Sequence, residues 1–250
     1  MLWLAPLAVA AITFVFSMLG MSGGQLIIPT LFWLGLDFKT QAIPTGLLCA
    51  AVSATSAAFT YVRTRQVNWR VGLPFMLAIL VGPPLGAATN ARLPTKPIIA
   101  AFAAFTAAAA LLMLSGWRPR GGGLSRRGQW MLGLFGGLGL GFLVGLIGRG
   151  GGSFIVPLLY ICGLEAKAAA ATSAVIVTGS NWVGFVSHLP TAQIPPAVAA
   201  ASAAAALVGS QLGSNFMVRR LDKRQVKKAF GVVLLFVAGV LLVKDVILAP

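Results

Sequence analysis

Long apolar stretches, separated by short polar or basic connections, are the feature that most limits what this sequence can fold into. A helix needs about 20 apolar residues to cross the hydrocarbon core of a bilayer, and 41–62, 71–91 and 196–218 all provide such a length. With 58% hydrophobic and 9% charged residues among 250, the chain has too many apolar side chains for one soluble core. The sequence therefore predicts an all-α polytopic membrane protein with no soluble domain between the stretches.

The charges are mostly basic and are gathered in three connections. Nineteen Lys and Arg against four Asp and Glu give a formal net charge of +15, which in a soluble chain would suggest a nucleic-acid partner. Here the basic residues cluster at Arg63–Arg70, Arg118–Arg127 and Arg219–Lys228, as they do in the cytoplasmic loops of membrane proteins. Because aromatic and basic residues do not alternate along a soluble face, we expect no nucleic-acid partner.

The chain contains an internal repeat. At an offset of 128 positions, residues 20–42 match residues 148–170 with 10 identities in 23 positions, where about two or three are expected by chance from this composition. The match continues at an offset of 127, where Leu80–Gly86 meets Leu207–Gly213. The sequence therefore predicts two related transmembrane repeats, 1–116 and 128–250, joined by a linker at 117–127.

Each repeat opens with an apolar segment that is interrupted by a glycine-rich break. A short apolar segment follows the break, and three long helices follow that. The predicted segments are 2–19, 25–36, 41–62, 71–91 and 95–115 in the first repeat, and 129–147, 153–164, 167–187, 196–218 and 223–243 in the second. A helix of about 12 residues reaches only about 18 Å, short of the roughly 30 Å core. We therefore predict a broken, re-entrant hairpin at the start of each repeat.

Charge indicates that the two repeats have opposite orientations. The loop with Arg63, Arg65 and Arg70 corresponds to the loop His188–Pro195, which has no Lys or Arg. The next loop reverses the contrast, with few basic residues in the first repeat and six in Arg219–Lys228. The positive-inside rule then places corresponding loops on opposite faces. We expect inverted repeats, a cytoplasmic linker at 117–127 and both termini on the non-cytoplasmic side.

Two hairpins that enter from opposite faces should meet near the midplane of the bilayer. Irregular backbone is tolerated there only around a protected site, and glycine lets helix N-termini near Gly24 and Gly152 approach an anion. Arg149 is costly in a membrane, so it either binds the substrate, pairs with Glu165 or reaches the surface. The predicted substrate-binding residues are Arg149, Ser22, Gly23, Gly24, Gln25, Gly150, Gly151, Gly152, Ser153, Thr45, Thr172, Ser173 and Asn181.

Other residue types limit the chemistry. Any single Ser or Thr in a membrane helix often bonds only its own backbone, so the Thr172-Ser173 pair, with Thr45 in the corresponding place, is the strongest of the hydroxyl candidates. The sequence has no carboxylate pair, metal cluster or His-supported nucleophile, which argues against an enzyme, a metal site or a cofactor. Cys49 and Cys162 are interpreted as reduced packing residues.

The two breaks and their flanks resemble the TauE/SafE family of sulfite and organosulfonate exporters, also called TSUP. The resemblance rests on a doubled Gly-x-x-Gly-Gly-x-φ-Ile-φ-Pro pattern (φ apolar) at 20–29 and 148–157, on Gly35-Leu36 and Gly163-Leu164, and on Ala171-Thr172-Ser173. It implies a transporter in the inner membrane of a bacterium that moves sulfite or a related sulfonate, often outward and with protons suggested as the coupling ion.

Three functions stay open on this evidence. The leading hypothesis is a secondary transporter of a small sulfur-containing anion that works by alternating access. A passive anion channel is the main alternative. A proton or cation antiporter normally needs acids inside the membrane, and the chain has only Asp37, Glu165, Asp222 and Asp245. The expected partners are the anion and the lipid bilayer, while the identity of the anion and homo-oligomerisation stay open.

Overall fold

The computed structural model describes residues 2–90, 104, 107–115, 125–147, 152–161 and 163–241, and these residues form helices joined by short connections, with no strand among them. The helices are α1 (Ala5–Met18), α2 (Gly24–Trp33), α3 (Ile43–Arg63), α4 (Trp69–Asn90), α5 (107–114), α6 (Arg126–Ile147), α7 (Gly152–Ile161), α8 (Ala166–His188), α9 (Pro196–Arg220) and α10 (Lys223–Leu241). The all-helical prediction is confirmed for this part of the chain.

Three helical stretches are long and apolar enough to cross a membrane within the described residues. They are Phe38–Arg63, Ala166–Thr191 and Pro196–Arg220. The first contains a five-residue π-turn, Phe38–Ala42, ahead of α3. Large apolar side chains on the outer surface, such as Phe59 and Leu212, are 60% exposed or more, as expected of side chains that face lipid.

The short helices end in the same way in both repeats. Gly35 follows α2 with φ of +109°, and Gly163 follows α7 with φ of +92°. These positions are 128 residues apart, and both place glycine in a backbone conformation that disfavours other residues. The duplicated sequence pattern therefore encodes a duplicated local structure.

The first repeat opens with a chain reversal between α1 and α2. A Cβ on Gly23 would lie 3.0 Å from Ile12 of α1, so the chain has folded back on α1. α2 then runs antiparallel to α3, because Gly24 packs on Ala50 while Ile28 packs on Gly46. Together α1, α2 and the reversal form a hairpin, and we call residues 19–23 its tip.

The fourth helix of each repeat packs against the first helix of the other repeat. A Cβ on Gly213 of α9 would lie 2.1 Å from the carbonyl oxygen of Phe14 in α1, and a Cβ on Gly209 would lie 2.4 Å from the carbonyl oxygen of Ala10. Residue numbers in these contacts rise in the same direction along both helices, so α1 and α9 are parallel. α4 and α6 form the corresponding close pair, in which Gly82 meets Gly141.

The third helices of the two repeats meet at the centre of the molecule. Asn181 of α8 lies beside Ala50 of α3, and Gly184 lies beside Leu47. Residue numbers rise along one helix as they fall along the other, so α3 and α8 are antiparallel. Besides this central contact, α3 packs on α9 and α8 packs on α4.

Most of the described basic residues lie at one end of the molecule, which we call the basic face. The ends of α3 and α9 lie there, together with the starts of α4, α6, α8 and α10. Lys223 pairs with Glu165, and the Lys167 ammonium donates to the carbonyl of Val218 at 3.2 Å, which ties these ends together. At the opposite end, the Gln193 N–H donates to the carbonyl of Thr40 at 2.8 Å.

Candidate functional site

The last part of the hairpin tip, at Ser22, lies at mid-height of the longest apolar helices. The Ser53 hydroxyl donates a hydrogen bond to the carbonyl of Ser22 in the tip at 2.9 Å. Ser53 is the central residue of α3, which runs from Ile43 to Arg63. If α3 crosses the bilayer, Ser22 and the start of α2 therefore lie near the midplane, whereas Gly20, which packs on Ala170 one turn into α8, lies nearer the basic face.

The tip presents the N-terminus of α2. Gly23 precedes this helix with φ of +75°, and no side chain caps the helix. The N–H groups of Leu26 and Ile27 both donate to the carbonyl of Gly23, at 2.9 and 3.0 Å, so the N–H of Gly24 lies ahead of the first intrahelical bonds. An uncapped N-terminus of this kind attracts an anion through both its N–H groups and the helix dipole.

Gly20 fixes the position of the tip against the other repeat. Its φ is +72°, and a Cβ there would lie 1.9 Å from the carbonyl oxygen of Ala170 in α8. Close approach and backbone conformation both require glycine at this position. Tyr61 anchors the other side of the tip, because its hydroxyl donates to the carbonyl of Ser17 near the end of α1.

Two buried hydroxyls occupy corresponding positions on the central helices. Thr45 of α3 and Ser173 of α8 are 128 positions apart and have no measurable exposure. Within the described part of the chain, neither side-chain oxygen has a hydrogen-bond partner. Buried polar atoms are normally paired, and the hydroxyls of Ser17 and Ser202 also lack a partner within the described residues, so this property alone does not mark a site. Ser173 lies one helical turn beyond Ala170, where Gly20 packs.

The remaining predicted site residues fall into three groups. Ser22 and Asn181 are buried near the tip, and the Asn181 amide approaches the carbonyl of Ala50 at 3.4 Å. Gln25 is half-buried on the first turn of α2. Thr172 lies apart from the tip, where its hydroxyl accepts the N–H of Asn68 at 2.9 Å, just before α4.

The second break lies mostly outside the described residues. This applies to Arg149, Gly150 and Gly151, whereas Gly152 begins α7 and the side chain of Ser153 is outside the described part. Glu165, the alternative partner for Arg149, forms an exposed ion pair with Lys223 at the basic face.

Ser53 is a site residue that the sequence reasoning missed. Its only signal was the repeat itself, because it lies 128 positions before Asn181. Both residues are buried near the centre of the molecule. Ser53 holds the tip through its bond to the Ser22 carbonyl, while its counterpart Asn181 was among the predicted substrate-binding residues.

The site is polar without being charged in the part of the chain that is described. The buried side chains there that form or could form strong hydrogen bonds belong to uncharged Ser, Thr, Asn and Tyr residues. In the same residues, no group of three His, Cys, Asp or Glu side chains could hold a metal ion. A small anion at the tip would therefore meet hydroxyl and N–H donors and no carboxylate, which suits recognition of an oxyanion.

Comparison with known proteins agrees with this architecture. The chain is 26% identical over 246 residues to the "probable membrane transporter protein YunE" of Bacillus subtilis (strain 168), and the match covers 88% of this chain and 90% of that protein. The family described as "Sulfite exporter TauE/SafE" matches residues 4–241. Because this match spans nearly the whole chain, the protein belongs to the TauE/SafE family of membrane transporters.

Proposed function

We propose that the protein is a secondary transporter that exports a small sulfur-containing anion, such as sulfite or an organosulfonate, across the inner membrane of a bacterium. The observation that carries this proposal is the uncapped N-terminus of α2, held at mid-height by the contacts of Ser22 with Ser53 and of Gly24 with Ala50. It offers N–H donors and a positive dipole end where no acid is buried among the described residues, and this combination favours an anion over a cation.

The second repeat completes the proposed site from the opposite face. The antiparallel contact of α3 with α8 supports inverted repeats, 1–116 and 128–250, and the basic face supports a cytoplasmic linker at 117–127 with both termini on the other side. In this arrangement the second tip brings Gly150, Gly151 and Gly152 to the same volume. Arg149 then supplies the positive charge that neutralises the substrate.

The moving bodies in this proposal are two bundles that each draw on both repeats. The first bundle is α1, α2, α3 and α9, and the second bundle is α4, α6, α7 and α8. Close glycine packing of α9 on α1 and of α4 on α6 supports these groups. Alternating access then arises as the bundles rock along the contact between α3 and α8, exposing the tips first to one face and then to the other.

Flux in liposomes tests the function. Purified protein is reconstituted in vesicles loaded with sulfite or sulfoacetate, and release is followed with and without a pH difference. We expect saturable release that a pH difference can drive against a gradient, and at least a tenfold loss in Arg149→Ala, because a lost charge-assisted contact costs about 1.5–3 kcal/mol. Arg126→Ala, at the basic face, is the matched control. Absence of flux for every sulfur anion refutes the proposal, and release that never runs against a gradient indicates a channel.

Paired cysteines test which bodies move. Cysteine pairs are introduced into a background with Cys49→Ala and Cys162→Ala and are bridged with mercuric ion. The first pair is F14C with F216C, whose native rings lie 6.0 Å apart. The second pair is T55C with W182C, whose native side chains are hydrogen bonded at 3.0 Å. Both bridges join the two repeats, but only the second joins the two bundles. We expect the second bridge to stop flux and the first to leave it intact. Loss of flux with the first bridge means that the sequence repeats themselves are the moving bodies.

A further inference from the structure

A strip of hydroxyl side chains follows α3 from the hairpin tip to the basic face. Ser53, Ser56, Thr60 and Thr64 are spaced by three or four residues and therefore share one face of the helix. At about 1.5 Å per residue, Ser56 and Thr60 lie about 4.5 and 10 Å beyond the tip contact at Ser53. Both are buried.

Two amide side chains of α9 close over this strip. The Gln211 amide donates to the hydroxyl and the carbonyl of Ser56, at 2.8 and 3.0 Å. Its oxygen accepts from the Thr60 hydroxyl at 3.1 Å and from the Asn215 amide at 3.2 Å. We call Ser56, Thr60, Gln211 and Asn215 the amide cluster. Its donors are satisfied mainly by one another, so the cluster is closed in this arrangement.

The fold itself does not require the amide cluster. In the other repeat, the positions that correspond to Ser56 and Thr60 are Gly184 and His188, and those that correspond to Gln211 and Asn215 are Pro84 and Ala88. α8 nevertheless packs on α4 as α3 packs on α9. Interhelical hydrogen bonds are one common way to hold membrane helices together, but the four corresponding residues of the other repeat include no amide or hydroxyl side chain that could form this cluster.

The composition of the cluster suits an anion. Two amide groups and two hydroxyls together provide six N–H and O–H hydrogens, and the cluster contains no carboxylate. It lies between the Ser53 contact and the basic face, where Arg63 ends α3, Arg65 follows it and Arg219 and Arg220 end α9. Basic residues around a path raise the local concentration of anions. The position and the donors therefore match the needs of an oxyanion that moves between that face and the midplane.

We infer that the amide cluster is a second anion-binding site, which holds the transported oxyanion between the basic face and the N-terminus of α2. This inference rests on the proposed function. The anion takes the place of the acceptors that Gln211 and Asn215 use in the closed arrangement, so it binds there only after these bonds open. The corresponding positions of the other repeat carry no amide side chain, and the two faces of the transporter therefore bind substrate with different affinities.

Exchange of Gln211 for glutamate tests the inference. Gln211→Glu keeps the shape of the side chain and its acceptor oxygen but replaces an N–H donor with negative charge. We expect the KM for sulfite, presented from the basic face in liposomes, to rise about tenfold or more, since hydrogen bonds to charged groups are strong. The KM from the opposite face should change less. Gln225→Glu is the matched control, because Gln225 lies at the basic face outside the cluster, where its side-chain oxygen accepts the N–H of Asp222.

The outcomes separate this inference from the proposed function. A thermal midpoint measured in parallel shows whether each variant stays folded, and Gln211→Leu provides a second, uncharged variant. A lower midpoint without any change in KM means that the cluster only joins two helices, which overturns the inference alone. Equal changes in KM for Gln211→Glu and Gln225→Glu also overturn it. If the wild type transports no sulfur anion, both the proposed function and this inference fall.

Discussion

The contact between Gly20 and Ala170 makes the sharpest prediction about the hairpin tip. Gly20→Ala would place a Cβ 1.9 Å from the carbonyl oxygen of Ala170 and 2.5 Å from its carbon. The same change adds a side chain at φ of +72°. The substitution therefore meets both a backbone clash and conformational strain.

Gly35→Ala separates these two effects. Gly35 has φ of +109°, but a Cβ there would meet no atom within 4 Å. Strain at an unfavourable backbone conformation costs about 1–3 kcal/mol in either variant, and overpacking against a rigid backbone adds about 1–3 kcal/mol for Gly20 alone. Gly20→Ala should therefore lower the free energy of unfolding by about 1–3 kcal/mol more than Gly35→Ala does.

Unfolding and flux are both measured for this pair of variants. Reversible denaturation in mixed detergent micelles gives the free energy of unfolding, and liposome flux reports the site. We expect Gly20→Ala to lose most of its flux because the tip moves away from α8, while Gly35→Ala keeps flux in proportion to the folded protein. Equal stability and equal flux in the two variants would show that the tip does not press on α8 as described.

Three further predictions concern packing and capping. Gly213→Ala should lower the free energy of unfolding by about 1–3 kcal/mol, because its Cβ would lie 2.1 Å from the Phe14 carbonyl oxygen. Gly139→Ala, whose Cβ would meet no atom within 4 Å, should instead stabilise α6 by up to about 1 kcal/mol. Unfolding in detergent measures both variants, and equal effects would contradict this packing. Tyr61→Phe should cost about 1 kcal/mol in the same assay, because it removes the hydrogen bond to Ser17, and an unchanged free energy would show that the bond is not formed. Hydrogen bonds from Thr40, first from its hydroxyl and then from its N–H, lower the pKa of Asp37 below 3.8. The stabilisation of the fold by this carboxylate is therefore complete above that pH and is lost as the pH falls through the lowered pKa. A thermal-shift series from pH 6 to pH 2 should show this loss in the wild type and not in Asp37→Asn.

Helix positions were predictable because they depend on local sequence. The predicted segment 41–62 corresponds to α3 at Ile43–Arg63, and the predicted segment 25–36 corresponds to α2 at Gly24–Trp33. Apolar length and glycine spacing fix these elements without reference to the rest of the chain. The short extension Phe38–Ala42 was not foreseen as a π-turn, since the side chain of Asp37 that caps it gives only a weak sequence signal.

The partners of the helices were not predictable in the same way. Nothing in the repeat says that α9 packs on α1, because contact depends on the close approach of Gly209 and Gly213 to a backbone almost 200 residues away. The same holds for Ser53 and Gln211, since a single polar residue in an apolar helix shows no local pattern. Gln211 finds its partners on α3, 151 and 155 residues earlier in the chain. The predicted roles of Arg149 and Thr172 in binding stay predictions.

Because α9 packs on α1 of the other repeat and α4 packs on α6 of the other repeat, the packing also sets the order in which the protein can be assembled. During synthesis, α1 enters the membrane long before α9 exists, so its close-packing surface around Ala10 and Phe14 faces lipid until Pro196–Arg220 has been made. α4 waits only for α6, and its bundle can form first. Neither repeat is therefore a folding unit by itself, and a fragment ending at residue 116 should become stable only when the rest of the chain is supplied beside it.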